Sequence, residues 1–171
     1  MIRQRSGQHI LVAGAMGAGK TTVGRLLAAS LGRPFLDSDE VLEQRTGSTG
    51  AEIAAAEGVA SLHEKELAVF LDLVGRTEPS VIAPAASVVD TVVGRRAMSE
   101  HLTVHLVAPE EVIASRLDHG RHRRPIDSRG RADLSKRREP YLREISALTV
   151  DTGDIDPDPA VAEILSALED L

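Results

Sequence analysis

Gly14-Ala15-Met16-Gly17-Ala18-Gly19-Lys20-Thr21 decides how the sequence around it must fold. Every fixed position of G-x-x-x-x-G-K-[ST] is met. Glycines let successive backbone N–H groups point into one concavity and approach phosphate oxygens closely. A helix starting near Lys20 adds the positive end of its dipole. Lys20 then reaches the β- and γ-phosphates of a nucleoside triphosphate, and the Thr21 hydroxyl is placed to ligate Mg2+. Lysine is not here by abundance, since Lys65 and Lys136 are the only others in the chain.

The flanks agree with the motif. His9 to Ala15 reads as a short buried strand, with Ile10, Leu11 and Val12 as a continuous apolar run. Thr21 to Leu31 places Val23, Leu26, Leu27 and Leu31 at helical spacing, and Gly32 stops that helix. Pro34 to Leu36 begins a second strand, ended by Asp37-Ser38-Asp39. Short helices follow at Val41 to Arg45 and Ala51 to Glu57, separated by Gly47 and Gly50. A longer amphipathic helix is expected from Ser61 to Val74. Further strands are expected at Ser80 to Ala83, Thr103 to Val107 and Leu148 to Asp151. Helices are expected at Glu110 to Leu117, at Leu134 to Leu148, and after Pro159, where Val161, Ile164 and Leu165 share a face. Strands alternating with helices imply a parallel sheet covered on both faces. His119 to Asp133 breaks the pattern, with Arg121, Arg123, Arg124, Arg129 and Arg131 and almost no apolar residue; it is expected to form a mobile lid.

Composition narrows the partners. A chain of 171 residues fits one domain with its own core. Phe35, Phe70 and Tyr141 are the only aromatic residues, so the core must be built from Ala, Val, Leu and Ile. A protein that stacks nucleic-acid bases needs more rings than that. The net charge of −6 supplies no basic field for nucleic acid or an anionic membrane. The absence of cysteine excludes disulfides, thiolate metal sites and a cysteine nucleophile. Met1 to His9 is polar and lacks a secretory apolar stretch, and no apolar run reaches the length of a membrane span. A cytoplasmic monomer is expected.

Asp37 and Asp39 follow the second strand beside the phosphate loop. They suit Mg2+ binding and an acceptor hydroxyl, and equally a cap for the helix containing Val41 and Leu42. An arginine delivered by a lid stabilises charge on a transferring phosphoryl group, and Arg124-Pro125 is the best-defined point in the basic segment. The six histidines, His63 and His105 among them, show no metal-ligand spacing, and no Ser-His-Asp pattern supports covalent catalysis.

Taken in order, these pieces resemble the shikimate kinases. The likeness covers Gly14 to Arg25, Leu31-Gly32, Phe35 to Asp39, Leu42 to Gly47, Arg124-Pro125-Ile126, Arg138-Glu139-Pro140-Tyr141 and Val150-Asp151-Thr152. It implies a three-layer α/β P-loop kinase fold with a five-stranded parallel sheet and a closing lid, working on ATP with Mg2+ and a small hydroxylated acceptor. By matching position, Gly14, Gly17, Ala18, Gly19, Lys20, Thr21 and Thr22 hold the nucleotide, and Arg116 lies against the adenine. Lys20 and Arg124 contact the transferring phosphate. Thr21, supported by Asp37, serves Mg2+. Asp39 binds and helps deprotonate the acceptor hydroxyl, and Arg138 pairs with an acceptor carboxylate.

The acceptor side departs from that family in two places. The family's Phe-Arg, whose arginine grips the shikimate carboxylate, is Leu62-His63 here, followed by Glu66. The family's Gly-Gly-Gly turn is replaced by Ala85-Ala86-Ser87 after Pro84. Added Cβ atoms and a proline narrow that turn. His63 lacks the planar fork of arginine and is mostly neutral at pH 7, which weakens carboxylate binding by a few kcal/mol. Three readings remain open: a shikimate-type kinase, a sugar-acid kinase sharing its mechanism, and a degenerate kinase that only binds nucleotide.

Overall fold

A computed structural model describes residues 8–118, 128–154 and 156–170. In chain order the first half holds β1 (Ile10–Gly14), α1 (Lys20–Leu31), β2 (Phe35–Asp37), α2 (Ser38–Thr46), α3 (Gly50–Glu57) and α4 (Val59–Val74). The second half holds β3 (Val81–Ala83), a 3-10 turn (Val88–Asp90), α5 (Val92–Ser99), β4 (Leu102–Val107), α6 (Glu110–Asp118), α7 (Ser128–Ile145), β5 (Leu148–Asp151) and α8 (Asp158–Glu169).

The strands form one five-stranded sheet in the order β2-β3-β1-β4-β5. Every pairing is parallel, with Ile10 opposite Val81 on one side and Leu102 on the other. Successive β1 residues serve opposite faces, as the pleat requires. Ile10 and Val12 pack with Val23, Leu27, Val161 and Ile164 of α1 and α8. Leu11 and Ala13 pack with Leu62, Phe70, Leu73 and Met98 of α4 and α5. Burial on both faces explains why β1 reads as a continuous apolar run rather than an alternation.

Parallel strands bring their C-terminal ends to one edge, so Gly14, Asp37, Ala83, Val107 and Asp151 share it. Chain direction across the sheet reverses at β1, whose neighbours are β3 and β4. In open α/β sheets the crevice at that point receives the ligand.

Two elements differ from expectation. The 3-10 turn and α5 fill the stretch after β3, and Gly94 makes this possible. A Cβ there would stand 2.0 Å from the Val88 carbonyl oxygen, while the Gly94 N–H donates to the capping Thr91 hydroxyl at 2.9 Å. Gly94→Ala is therefore expected to destabilise by about 1–3 kcal/mol, read by urea denaturation. An unchanged midpoint would mean that α5 can shift away freely. The second difference is α7, expected from Leu134 but starting at Ser128 and ending at Ile145, before β5. Residues 119–127 of the expected lid, Arg124 included, lie outside the described residues.

Candidate active site

The phosphate loop leaves β1 at Gly14, where the backbone runs against β4. A Cβ on Gly14 would lie 2.5 Å from the Leu106 carbonyl oxygen, so only glycine fits. The loop re-enters helix at Gly19, whose φ of 94° is left-handed and favours glycine again. No acidic residue stands in the first turn of α1, so the positive end of its dipole is left uncancelled. The Lys20 ammonium lies over the loop, donating to the carbonyls of Gly14 at 2.9 Å and Ala15 at 3.4 Å. Gly17 and Ala18 are buried in the loop wall, and Thr22 is exposed on α1.

Asp37 caps α2 and also holds the Thr21 hydroxyl. Its Oδ1 accepts the Asp39 N–H at 3.0 Å, capping α2, and its Oδ2 accepts the Thr21 hydroxyl at 2.6 Å. The carboxylate therefore fixes the Thr21 hydroxyl beside the loop while anchoring the helix that carries the exposed Asp39. Among the described residues no group of three or more His, Cys, Asp or Glu is arranged to hold a metal. An all-oxygen pair such as Thr21 and Asp37 suits Mg2+, which keeps waters and substrate phosphate oxygens in its shell.

Arg116 stands on the other side of the loop. Its guanidinium donates to the carbonyls of Gly17 at 3.3 Å, Thr152 at 2.5 Å and Asp154 at 3.2 Å. The Thr152 hydroxyl donates to the Ala18 carbonyl at 2.6 Å. Together they tie the loop to the segment after β5. Thr152 was not singled out as a site residue; its signal was its place in the Val-Asp-Thr stretch that closes the family likeness.

After β3, Pro84, Ala85 and Ala86 close against Ala13 and Gly14, leaving a void of about 10 Å³ that Val89, Met98 and Leu142 also line. The Ser87 hydroxyl donates to Glu66 of α4, one helical turn beyond His63. Arg138 of α7 makes a fork-to-fork pair with Asp90, Nε to Oδ1 at 2.9 Å and Nη2 to Oδ2 at 2.7 Å. Arg137 adds a longer contact at 3.5 Å. Burial pushes the Asp90 carboxyl up, but Arg138 outweighs it; with Arg137 and His63 it holds the group below the ordinary carboxylate range. The structure thus brings His63, Asp90 and Arg138 together. Asp90 had no signal in the sequence, because its partner lies 48 residues away.

His105, on β4 under α7, is structural. Burial pushes its imidazole below the ordinary value, against the pull of Glu139 and helped by Arg143. The folded chain keeps it neutral where the unfolded chain is protonated. Its contribution is therefore full above about pH 6.5 and is lost as pH falls through the folded value. Stability should drop between pH 7 and pH 5 with a slope that His105→Leu flattens, read by denaturation at both pH values. An unaltered slope would clear His105 of the effect.

The shikimate kinase family model matches residues 16–169. The chain belongs to the shikimate kinase family. A shikimate kinase of Methylococcus capsulatus is 35% identical over 96% of this chain and 94% of that protein. The solved structure of shikimate kinase from Acinetobacter baumannii in complex with shikimate superposes with a TM-score of 0.90. It is 31% identical and covers 96% of this chain and 94% of its own. A gluconokinase of Sinorhizobium meliloti shares the fold at a TM-score of 0.67 and 22% identity, covering 98% of this chain and 94% of its own. Membership of the shikimate kinases accounts for the parallel sheet, the phosphate loop and the need for ATP and Mg2+.

Proposed function

We propose that this chain moves the γ-phosphoryl group of Mg-ATP to a hydroxyl of shikimate or a related small hydroxylated compound. The observation that carries the reading is the phosphate loop with Lys20 over it and Asp37 joining the Thr21 hydroxyl to the helix that carries Asp39. A phosphate site and a carboxylate held beside it are what an in-line transfer requires.

Gly14, Gly17, Ala18, Gly19 and Thr22 form the cradle for the phosphates, and Lys20 supplies a positive charge to the transferring group. Mg2+, when bound, neutralises charge on the phosphate oxygens; Thr21 and Asp37 are the residues to hold it. Asp39 orients the acceptor hydroxyl and takes its proton. Arg124 is assigned to the same phosphoryl group from its Arg-Pro motif, and Arg116 flanks the nucleotide. His63, Ala85, Ala86, Ser87 and Arg138 surround the acceptor. Every residue in the assignment comes from one copy, as a monomeric enzyme needs. The lid is assigned to 119–133 of a single kinase domain, and the cytoplasm is the compartment that supplies ATP.

ADP release at saturating Mg-ATP tests the reading, with shikimate and a panel of small polyols and hydroxy acids as acceptors. Acceptor-dependent release is expected. ATP binding without release for any acceptor would overturn the proposal in favour of a nucleotide-binding module.

A further inference from the structure

Glycine makes the peptides of the phosphate loop easy to turn over. Gly17 and Gly19 stand at φ of 86° and 94°, and neither has the Cβ that restricts a backbone. A peptide turned the wrong way offers a phosphate its carbonyl oxygen instead of its N–H. The loop is held from outside. The Thr152 hydroxyl donates to the Ala18 carbonyl at 2.6 Å, and Arg116 Nη1 donates to the Gly17 carbonyl at 3.3 Å. In a planar trans peptide the C=O and the following N–H point in opposite directions. Fixing the Ala18 carbonyl toward Thr152 therefore aims the Gly19 N–H the other way. The Ala18 N–H closes a turn on the Ala15 carbonyl at 3.1 Å, so Arg116 steadies that turn from the far end of the same peptide.

Thr152 is well placed for this. The residue is 5% exposed, and its own N–H donates to the Val107 carbonyl at 2.8 Å, which fastens it to β4. Its hydroxyl carries one proton, and the Val107 carbonyl lies farther off at 3.2 Å than the Ala18 carbonyl at 2.6 Å. Arg116 Nη1 also reaches the hydroxyl oxygen at 3.5 Å, and Nη2 donates to the carbonyls of Thr152 and Asp154. The two side chains thus act as one brace. Gly19 packs beside both: a Cβ there would lie 3.7 Å from Arg116 Nη1 and 3.9 Å from the Thr152 hydroxyl oxygen.

We infer that Thr152 is a positioning residue for the nucleotide, fixing the Ala18–Gly19 peptide so that the Gly19 N–H is preset for the β-phosphate. The inference rests on the phosphate loop as the nucleotide site and holds for any acceptor. Donors fixed before the ligand arrives need no ordering on binding, so a lost brace shows as lost affinity.

Calorimetric titration of the full chain with Mg-ADP tests this, beside amide NMR of Gly19. Thr152→Val keeps the shape and removes the donor, whereas Thr152→Ser keeps the donor. Thr152→Val is expected to weaken Mg-ADP about tenfold, the worth of one N–H bond to a charged oxygen, and Thr152→Ser should restore it. The Gly19 amide signal should move when Mg-ADP is added to the native protein, and should already be displaced in ligand-free Thr152→Val. Weakening of less than about threefold overturns the inference. So does a serine variant as weak as the valine one, or a Gly19 signal that Mg-ADP leaves in place. A thermal melt checks folding; if Thr152→Val does not fold, Thr152→Ala is held to the same limits, and if neither folds the native Gly19 shift decides. Turnover is not needed, so loss of the phosphotransfer reading and loss of this inference give different results.

Discussion

Replacing Lys20 with methionine is expected to lower acceptor-dependent ADP formation about a thousandfold or more. The ammonium already sits over the phosphate loop, held at 2.9 Å by the Gly14 carbonyl. A charge fixed there before substrate arrives requires no reorganisation when negative charge shifts during transfer, which is where electrostatic catalysis gains most. Methionine preserves the length of the stem and removes only the charge and its donors. Melting temperature should therefore change little while kcat collapses. Steady-state kinetics beside a thermal melt checks both, and a kcat within about tenfold of native would remove Lys20 from its assigned role.

Asp39→Asn is expected to lower kcat by about 10²–10⁴-fold with little loss of stability, because the side chain is exposed and is assigned to the acceptor hydroxyl. Asp37→Ala should behave differently. It removes the cap that accepts the Asp39 N–H and the partner of the Thr21 hydroxyl at once. Loss of the cap costs about 1 kcal/mol, and the freed hydroxyl should raise the Mg2+ concentration needed for half-maximal rate. Kinetics across Mg2+ concentrations and urea denaturation separate the two. Equal stability losses, or a Mg2+ dependence altered only in Asp39→Asn, would reverse the assignment of these carboxylates.

The nucleotide half was legible because its determinants are local. Eight consecutive residues supply the loop, and the strand before it and helix after it are apolar in the right periods. The two contacts of Asp37 were readable only as two alternatives, since capping and metal support ask for the same residue at the same place; the fold shows the cap and the tie to Thr21. A helix between β3 and β4 was expected, but α5 could not be given bounds because Val92 and Val93 are 72% and 55% exposed, so its apolar residues mark no buried stripe, and Gly94 argues against helix by propensity. The start of α7 was hidden in Ser128-Arg129-Gly130-Arg131, a charged, glycine-containing run that reads as loop.

The acceptor half was legible as a departure and not as a structure. Leu62-His63 and Ala85-Ala86-Ser87 announced that the family's carboxylate grip and glycine turn had changed. What replaced them depends on contacts between distant segments. Arg138 reads as a free guanidinium in sequence; only the packing of α7 against the turn after β3 shows that Asp90 occupies it. Likewise Arg116 reads as an adenine contact, while the fold shows it securing the loop through Gly17 and Thr152.

Phosphoryl transfer is best followed through the γ-phosphate itself. The protein is incubated with Mg2+, ATP radiolabelled at the γ-position, and shikimate or another small hydroxy acid. Label is expected in a stable phosphate ester of an acceptor, formed only with Mg2+ and absent with Lys20→Met. Label that stays in ATP, or appears only as inorganic phosphate while nucleotide binding is intact, would contradict it.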